Sequence, residues 1–307
     1  MPFTLTIDGR SLSVADMVRF ARESNAILEV APDARSRLAA SRALVDRAIN
    51  DGATIYGINT GFGKLANVRI ASDRLNQLQA NLIRSHAAGV GEPLPRDVVR
   101  GAMLLRANVL LRPTSGVRPE LVDALVTLIN AGVVPFVPEQ GSVGASGDLA
   151  PLAHIGQALM GEGEVLVDGA AYATAPVLAA AGVPSFSFAP KEGLAFINGT
   201  QAQTALLALT VYDAEVLWRS AVGAAAMSLE ALRGTPVPLD PRIHEARPHR
   251  GQRETAELMR SLLADSATGS PTGRTIPGCR MPTVFGVFPR CSAPWPMLSG
   301  LPRRPSQ

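Results

Sequence analysis

The sequence predicts a mainly α fold with a small β component, and three observations carry that expectation. Three consecutive stretches, roughly 73–88, 96–111 and 119–131, place apolar residues at helical spacing between Gly and Pro punctuation. A longer stretch, Thr200 to Leu232, is rich in Ala and Leu. Strand signals are short by comparison: an alternating Phe3–Ile7 and a hairpin-like Glu164-Val165-Leu166-Val167-Asp168-Gly169.

Taken in order, Phe3 to Ile7 reads as a strand closed by the turn residues Asp8-Gly9. Helical periodicity follows in Val14–Arg22 and again in Ala34–Ile49, where Asp33 is the expected cap and Asp51-Gly52 the stop. The glycine-rich segment Tyr56-Gly57-Ile58-Asn59-Thr60-Gly61-Phe62-Gly63 interrupts the helices. After the three central helices, a second glycine-rich loop, Gly141 to Gly147, runs into a helical Leu149–Met160. Asp148 is the expected N-cap of that helix, and Pro151 falls in its first turn, where a missing N–H costs little. Asp213, Glu215 and Arg219 exclude a membrane span in the 200–232 stretch. Its apolar breadth predicts burial on several sides, as in a bundle or oligomer core.

The 307 residues are 47% hydrophobic and 18% charged, enough for a large core and against wholesale disorder. A formal charge of +3 suggests an acidic partner, but its distribution removes the suggestion. All 26 acidic residues lie before Pro271, together with 24 of the 29 basic ones. The last 37 residues carry Arg274, Arg280, Arg290, Arg303 and Arg304, both cysteines and 8 of the 24 prolines. The body is therefore slightly acidic, and no nucleic-acid partner is expected. A cysteine-free body is no disulfide framework and reads as cytoplasmic. The N-terminus shows no signal-peptide pattern, and no run of about 18 apolar residues occurs, so no membrane partner is expected.

The segment Gly141-Ser142-Val143-Gly144-Ala145-Ser146-Gly147-Asp148-Leu149-Ala150-Pro151 is the most informative one. Its three glycines allow close backbone approach around a small tripeptide that precedes a helix N-terminus, where negative charge is stabilised. On residues alone, it is a glycine-rich turn into a helix or a loop holding phosphate by backbone amides. No Walker lysine follows and the spacing is not that of a dinucleotide fold, so nucleotide binding has little support. His154, His244 and His249 lack metal-ligand spacing and read as structural, and no metal is expected. Nothing around Lys64 or Lys191, the only lysines, supports a Schiff-base enzyme.

Together with Tyr56–Gly63, Ser85-His86-Ala87-Ala88-Gly89, Asn198-Gly199-Thr200-Gln201, Ile243-His244-Glu245-Ala246-Arg247 and Arg250-Gly251-Gln252, that segment resembles the aromatic amino acid ammonia-lyases. The resemblance covers about residues 4–269. It implies an N-terminal lyase domain over 1–199, with a small α+β part and a self-cyclising loop. The start of an incomplete long-helix bundle follows over 200–269, and 270–307 falls outside the family pattern. The Ala145-Ser146-Gly147 tripeptide would form the electrophile 4-methylidene-imidazol-5-one, with no metal and no external cofactor. The Gly147 nitrogen would attack the Ala145 carbonyl and two waters would leave, one of them taking the Ser146 hydroxyl. The chemistry needs such a group, because side chains offer nucleophiles and bases but no strong electrophile.

The resemblance makes Tyr56 the base that removes the β-proton, which requires a phenol pKa well below the free value near 10. It gives His86 a part in choosing the substrate ring and Asn198 a contact with substrate or cofactor. The implied partner is a small amino acid, and family sites are assembled from three subunits of a homotetramer. His86 in its Ser-His-Ala-Ala-Gly setting tips the implied substrate toward histidine, giving urocanate and ammonia. The rival is a lyase or aminomutase of the same family acting on phenylalanine or tyrosine.

After about Thr268 the resemblance stops, and the family's next motif, V-Q-D-x-Y-S-L-R-C-x-P-Q-V-x-G-A, is missing. Back-translating Pro277 to Pro294 and reading each codon from its third base recovers R-V-Q-D-A-Y-S-L and then R-C-L-P-Q-V-L-G-A. The tail is therefore expected to be a frameshift product beginning between Thr268 and Pro277. A chain so shortened is expected to lack normal tetramer assembly, which makes an inactive, non-enzymatic remnant the second class of reading.

Overall fold

Residues 2–51, 54–63, 68–141 and 147–266 are described in the computed structural model of the chain. Ala145, Ser146 and the 270–307 tail lie outside the described residues. The chain divides into two units, Met1–Leu209 and Thr210–Gln307.

In the first unit, β1 (Thr4–Ile7) pairs in parallel with β2 (Ile27–Val30) across the intervening α1 (Val14–Arg22). Ser13 starts α1 by accepting from the Asp16 amide, as a serine N-cap does. α1 packs on α4 (Arg96–Leu110), whose Arg100 stops it: that guanidinium donates to the carbonyls of Ala21, Phe20 and Glu23. These are carbonyls that a helix end leaves without partners. Arg100 is buried, and burial pushes its pKa down to about 10, so the cap stays charged at neutral pH.

α2 (Pro32–Asn50) begins with proline at its first position, where its fixed φ is already helical. Asp33 therefore sits inside the first turn rather than capping it, and pairs with Arg37 one turn on. α5 (Pro119–Asn130) packs on α4, which is sunk along nearly its whole length, while α3 (Leu75–His86) packs on α6 (Leu149–Leu159). Leu104, Ala107, Leu110, Leu121, Leu125 and Leu152 are inaccessible to solvent. Burying a leucine of this kind contributes about 1.5–3 kcal/mol.

Two small sheets complete the unit. β3 (Val90–Pro93) pairs antiparallel with β5 (Pro138–Gln140), Val90 opposite Gln140 and Pro93 opposite Pro138. β4 (Val134–Pro135) pairs with β6 (Glu164–Val167), which forms a hairpin with β7 (Ala170–Ala173). The expected hairpin is thus one arm of a three-stranded sheet, with α7 (Thr174–Ala180) following. A short helix absent from the sequence expectation, α8 (Glu192–Ile197), leads into α9 (Gln201–Ala231).

α9 is the long Ala/Leu-rich helix and continues into the second unit. There Val222, Ala225 and Leu229 pack with Leu239 and with Met259 of α11 (Arg250–Leu262), flanked by Trp218, Leu258 and Leu263. Between them, α10 (Pro241–Glu245) carries His244, whose Nδ1 meets Gln252 Nε2 at 2.9 Å. The expectation that α9 is buried on several sides is not met within the single chain. Leu207, Leu217 and Met227 are 63, 70 and 72% exposed. No helix among the described residues is long and apolar enough to cross a membrane.

Candidate active site

The antiparallel pairing of β3 with β5 puts two of the sequence motifs side by side. β3 begins just after Ser85–Gly89, and β5 ends just before Gly141. With Val90 opposite Gln140, the two loops leave the same end of the ladder, and a β-carbon on Gly141 would lie 3.9 Å from Gly89 Cα. His154, on α6, ties them further: its Nε2 accepts from the Gly89 amide at 3.1 Å. Burial pushes the His154 pKa below its usual value, favouring the neutral ring that this acceptor role requires.

His86 is the last residue of α3 and half-buried. Its Nδ1 lies 2.8 Å from the Leu82 carbonyl. A carbonyl only accepts, so Nδ1 carries the proton, and in the neutral ring Nε2 keeps its lone pair. The ring is thus oriented from below by its own helix.

Tyr56 stands in an irregular loop held by its neighbours. Asn59 Oδ1 accepts from the Ile55 amide at 2.9 Å, and Thr60 bridges across to Arg69. Both Asn59 and Thr60 are buried, whereas Tyr56 is 56% exposed, its ring edge-on to Phe62 with centroids 6.2 Å apart. The polar residues of Tyr-Gly-Ile-Asn-Thr-Gly therefore shape the loop and leave the phenol open. Gly57 packs directly on the side chain of Leu194, in α8.

α8 is short, yet tied at three points. Glu192 is fully buried and accepts from the Arg118 side chain through both oxygens (2.8 and 2.9 Å), from the Arg118 amide and from the Ala189 amide. Gln79 of α3 accepts from the Leu194 amide at 3.2 Å. Arg106 of α4 donates to the Ala195 carbonyl. Asn198 closes the helix, its Nδ2 donating to the Leu194 carbonyl at 3.1 Å.

Immediately beyond, Gly199 meets the end of the glycine-rich loop. The Asp148 amide donates to the Gly199 carbonyl at 2.6 Å. Gly147 has φ +143°, and a β-carbon there would lie 2.6 Å from Gly199 N and closer still to its carbonyl oxygen. Backbone atoms cannot give way, so only glycine fits. Asp148 occupies the N-cap position of α6 but does not cap it. Its carboxylate is buried and accepts instead from the Gln203 amide, in the first turn of α9, at 2.9 Å. The expected local cap is thus a tie between two helices 55 residues apart in sequence.

The described backbone accordingly gathers the segments of Tyr56, His86, Gly147 and Asn198 around α8 and the β3–β5 ladder. Among the described residues no hydrogen bond joins any two of these four. Sequence reasoning passed over Arg106, Glu192, Leu194 and Gln201, the residues that hold these segments together. A glutamate buried beside an arginine 74 positions away leaves no local signal, and only Gln201, inside the Asn198–Gln201 motif, was within reach.

A protein-family model for aromatic amino acid lyases matches residues 12–277. The histidine ammonia-lyase of Alkaliphilus metalliredigens is 46% identical over 262 residues, 85% of this chain and 52% of that one. The solved histidine ammonia-lyase of Trypanosoma cruzi aligns with TM-score 0.79 at 43% identity, over 84% of this chain and 50% of that one. A tyrosine aminomutase from Streptomyces globisporus aligns with TM-score 0.82 at 33% identity, over 96% of this chain and 58% of that one. The chain spans about half the length of the curated relatives it matches.

Proposed function

Because the chain belongs to the aromatic amino acid lyase family, we propose that it is a histidine ammonia-lyase by descent, built for L-histidine to trans-urocanate plus ammonia. The observation that carries this reading is the Gly147–Gly199 contact. It demands glycine at the third position of Ala145-Ser146-Gly147 and presses that residue against a fixed backbone wall. Such a cradle fits a segment that must fold back on itself to form 4-methylidene-imidazol-5-one. That group, once formed by these three residues, supplies the strong electrophile that elimination of ammonia needs.

The chain's own side chains divide the remaining work. Tyr56, open to solvent on its loop, takes the β-proton of the substrate, and the electron pair left behind forms the Cα–Cβ double bond as ammonia departs. His86, with Nδ1–H committed to Leu82, offers Nε2 to the N–H of a substrate imidazole. Asn198, locked to Leu194 through Nδ2, keeps its carbonyl oxygen for the substrate amino group or the tripeptide. No group of three or more metal-ligating side chains occurs among the described residues. The working protein is proposed to be a soluble cytoplasmic homotetramer whose sites draw on three subunits, and the exposed Leu207, Leu217 and Met227 of α9 support such assembly.

The likeness to a tyrosine aminomutase favours one rival substrate class, phenylalanine or tyrosine. Histidine is preferred because the relatives that match at 46 and 48% identity are named histidine ammonia-lyases and His86 suits an imidazole. Restoring the reading frame beyond Thr268 and measuring ammonia release from the three amino acids tests the choice. Preference for L-histidine supports the assignment, and preference for phenylalanine or tyrosine refutes it.

A further inference from the structure

We propose that Gln79 is a positioning residue for Tyr56, capping α8 from α3 and acting through Leu194. The inference rests on the reading that Tyr56 removes the β-proton, and adds what holds its loop in place. Gln79 is inaccessible to solvent, and its Oε1 accepts from the Leu194 amide at 3.2 Å. Its Nε2 is buried and has no hydrogen-bond partner among the described residues. An unpaired buried amide hydrogen costs stability that a methionine of similar size would not. Packing alone therefore does not account for the carboxamide.

The helix that it caps does. The first amides of a helix have no partner within that helix, and Lys191, at the N-cap of α8, has no side-chain acceptor to offer them. Gln79 supplies the missing acceptor to the third residue of α8. The two helices meet closely there. A β-carbon on Gly193 would lie 2.9 Å from the Gln79 carbonyl oxygen and 3.0 Å from its Oε1.

Leu194 passes the position on. Its side chain lies against Gly57, the residue after Tyr56, where a β-carbon would collide with Leu194 Cδ2. Gly57 has φ +76°, so the loop turns on the very residue that Leu194 touches. The Leu194 carbonyl accepts from Asn198 Nδ2 at 3.1 Å. α3 itself ends at His86, seven residues beyond Gln79. One capped leucine thus joins the Tyr56 loop, Asn198 and the helix of His86. A base must lie within hydrogen-bond reach of the proton it takes, and a misplacement of about 1 Å costs roughly 100-fold in rate. Loss of the cap frees the first turn of α8, and the Gly57 turn moves with it.

Amide hydrogen exchange in the 307-residue chain reads the link directly. In Gln79→Met, exchange is expected to quicken at Leu194 and at Ile58 and Asn59, whose amides donate to the Ile55 carbonyl, while α4 and α5 keep native protection. Leu194→Ala, which keeps the cap and removes the packing, quickens Ile58 and Asn59 and serves as the second variant where Gln79→Met does not fold. Gln79→Glu, which keeps an acceptor at the helix N-terminus, restores native exchange. In the frame-restored enzyme, with the amino acid it turns over fastest, Gln79→Met lowers kcat on the order of 100-fold while KM rises far less, and Gln79→Glu recovers the rate. Native exchange at Ile58 and Asn59 in either Gln79→Met or Leu194→Ala, or a kinetic change confined to KM, overturns the role of Gln79 while leaving the lyase reading standing. A frame-restored Tyr56→Phe enzyme as fast as its parent, or a parent that releases no ammonia, overturns the reading of Tyr56 as base and this role with it.

Discussion

The amide of Asp148 donates to the carbonyl of Gly199 across 2.6 Å, joining the end of the glycine-rich loop to the turn between α8 and α9. That junction holds Gly147 against the Gly199 backbone, the contact on which the proposed cyclisation rests.

Gly147→Ala is expected to abolish the two-water loss and to destabilise the chain by about 1–3 kcal/mol. The β-carbon would enter a φ of +143° and meet the Gly199 backbone. Intact mass and thermal melting check the two effects separately. A variant that melts like the native chain would show that the cradle is looser than described.

Glu192→Ala is expected to cost roughly 2–4 kcal/mol, because it leaves Arg118 and two backbone amides without their shared acceptor. Arg118 is partly exposed, which keeps the loss below that of a fully buried pair. Urea unfolding measures it, and Glu192→Gln should recover part of the difference. A midpoint unchanged by Glu192→Ala contradicts the role given to α8.

Stability is expected to fall in mild acid through His154. Its folded pKa lies below the ordinary value of 6.5, so between those two values the unfolded chain binds more protons than the folded one. The contribution is complete above 6.5 and is lost as pH drops through the folded value, when Nε2 protonates and can no longer accept from Gly89. Comparing urea midpoints at about pH 7.5 and about pH 5 should show a smaller acid loss for His154→Gln than for the native chain. Equal losses would remove His154 from the account.

Little urocanate is expected from the 307 residues alone, which span about half the length of their relatives. Absorbance during incubation with L-histidine checks this. Rapid turnover by the purified chain would show that the remaining half is dispensable.

The long helices were legible because their apolar spacing is local: α1, α3, α4, α5 and α9 all fall where the periodicity places them. Elements whose existence depends on distant partners were not. α8 has six residues, including Gly193, and stands only because Glu192 finds Arg118 and Gln79 finds Leu194. β3 and β5 are four and three residues long and form through pairing with each other. Asp148 looked like a cap for α6 because the competing donor, the Gln203 amide, is 55 positions away. Tyr56, His86, Gly147 and Asn198 were legible only as motif positions. What holds their segments in place, Arg106 above all, becomes visible once α4 and α8 are seen to touch through it.

The most direct test of the central claim is the intact mass of the purified chain beside its Ser146→Ala variant. The native chain should be lighter than its encoded mass by two waters, and the variant should not show that loss. A native chain at its full encoded mass, folded and soluble, would contradict the claim that Ala145-Ser146-Gly147 is the seat of the chemistry.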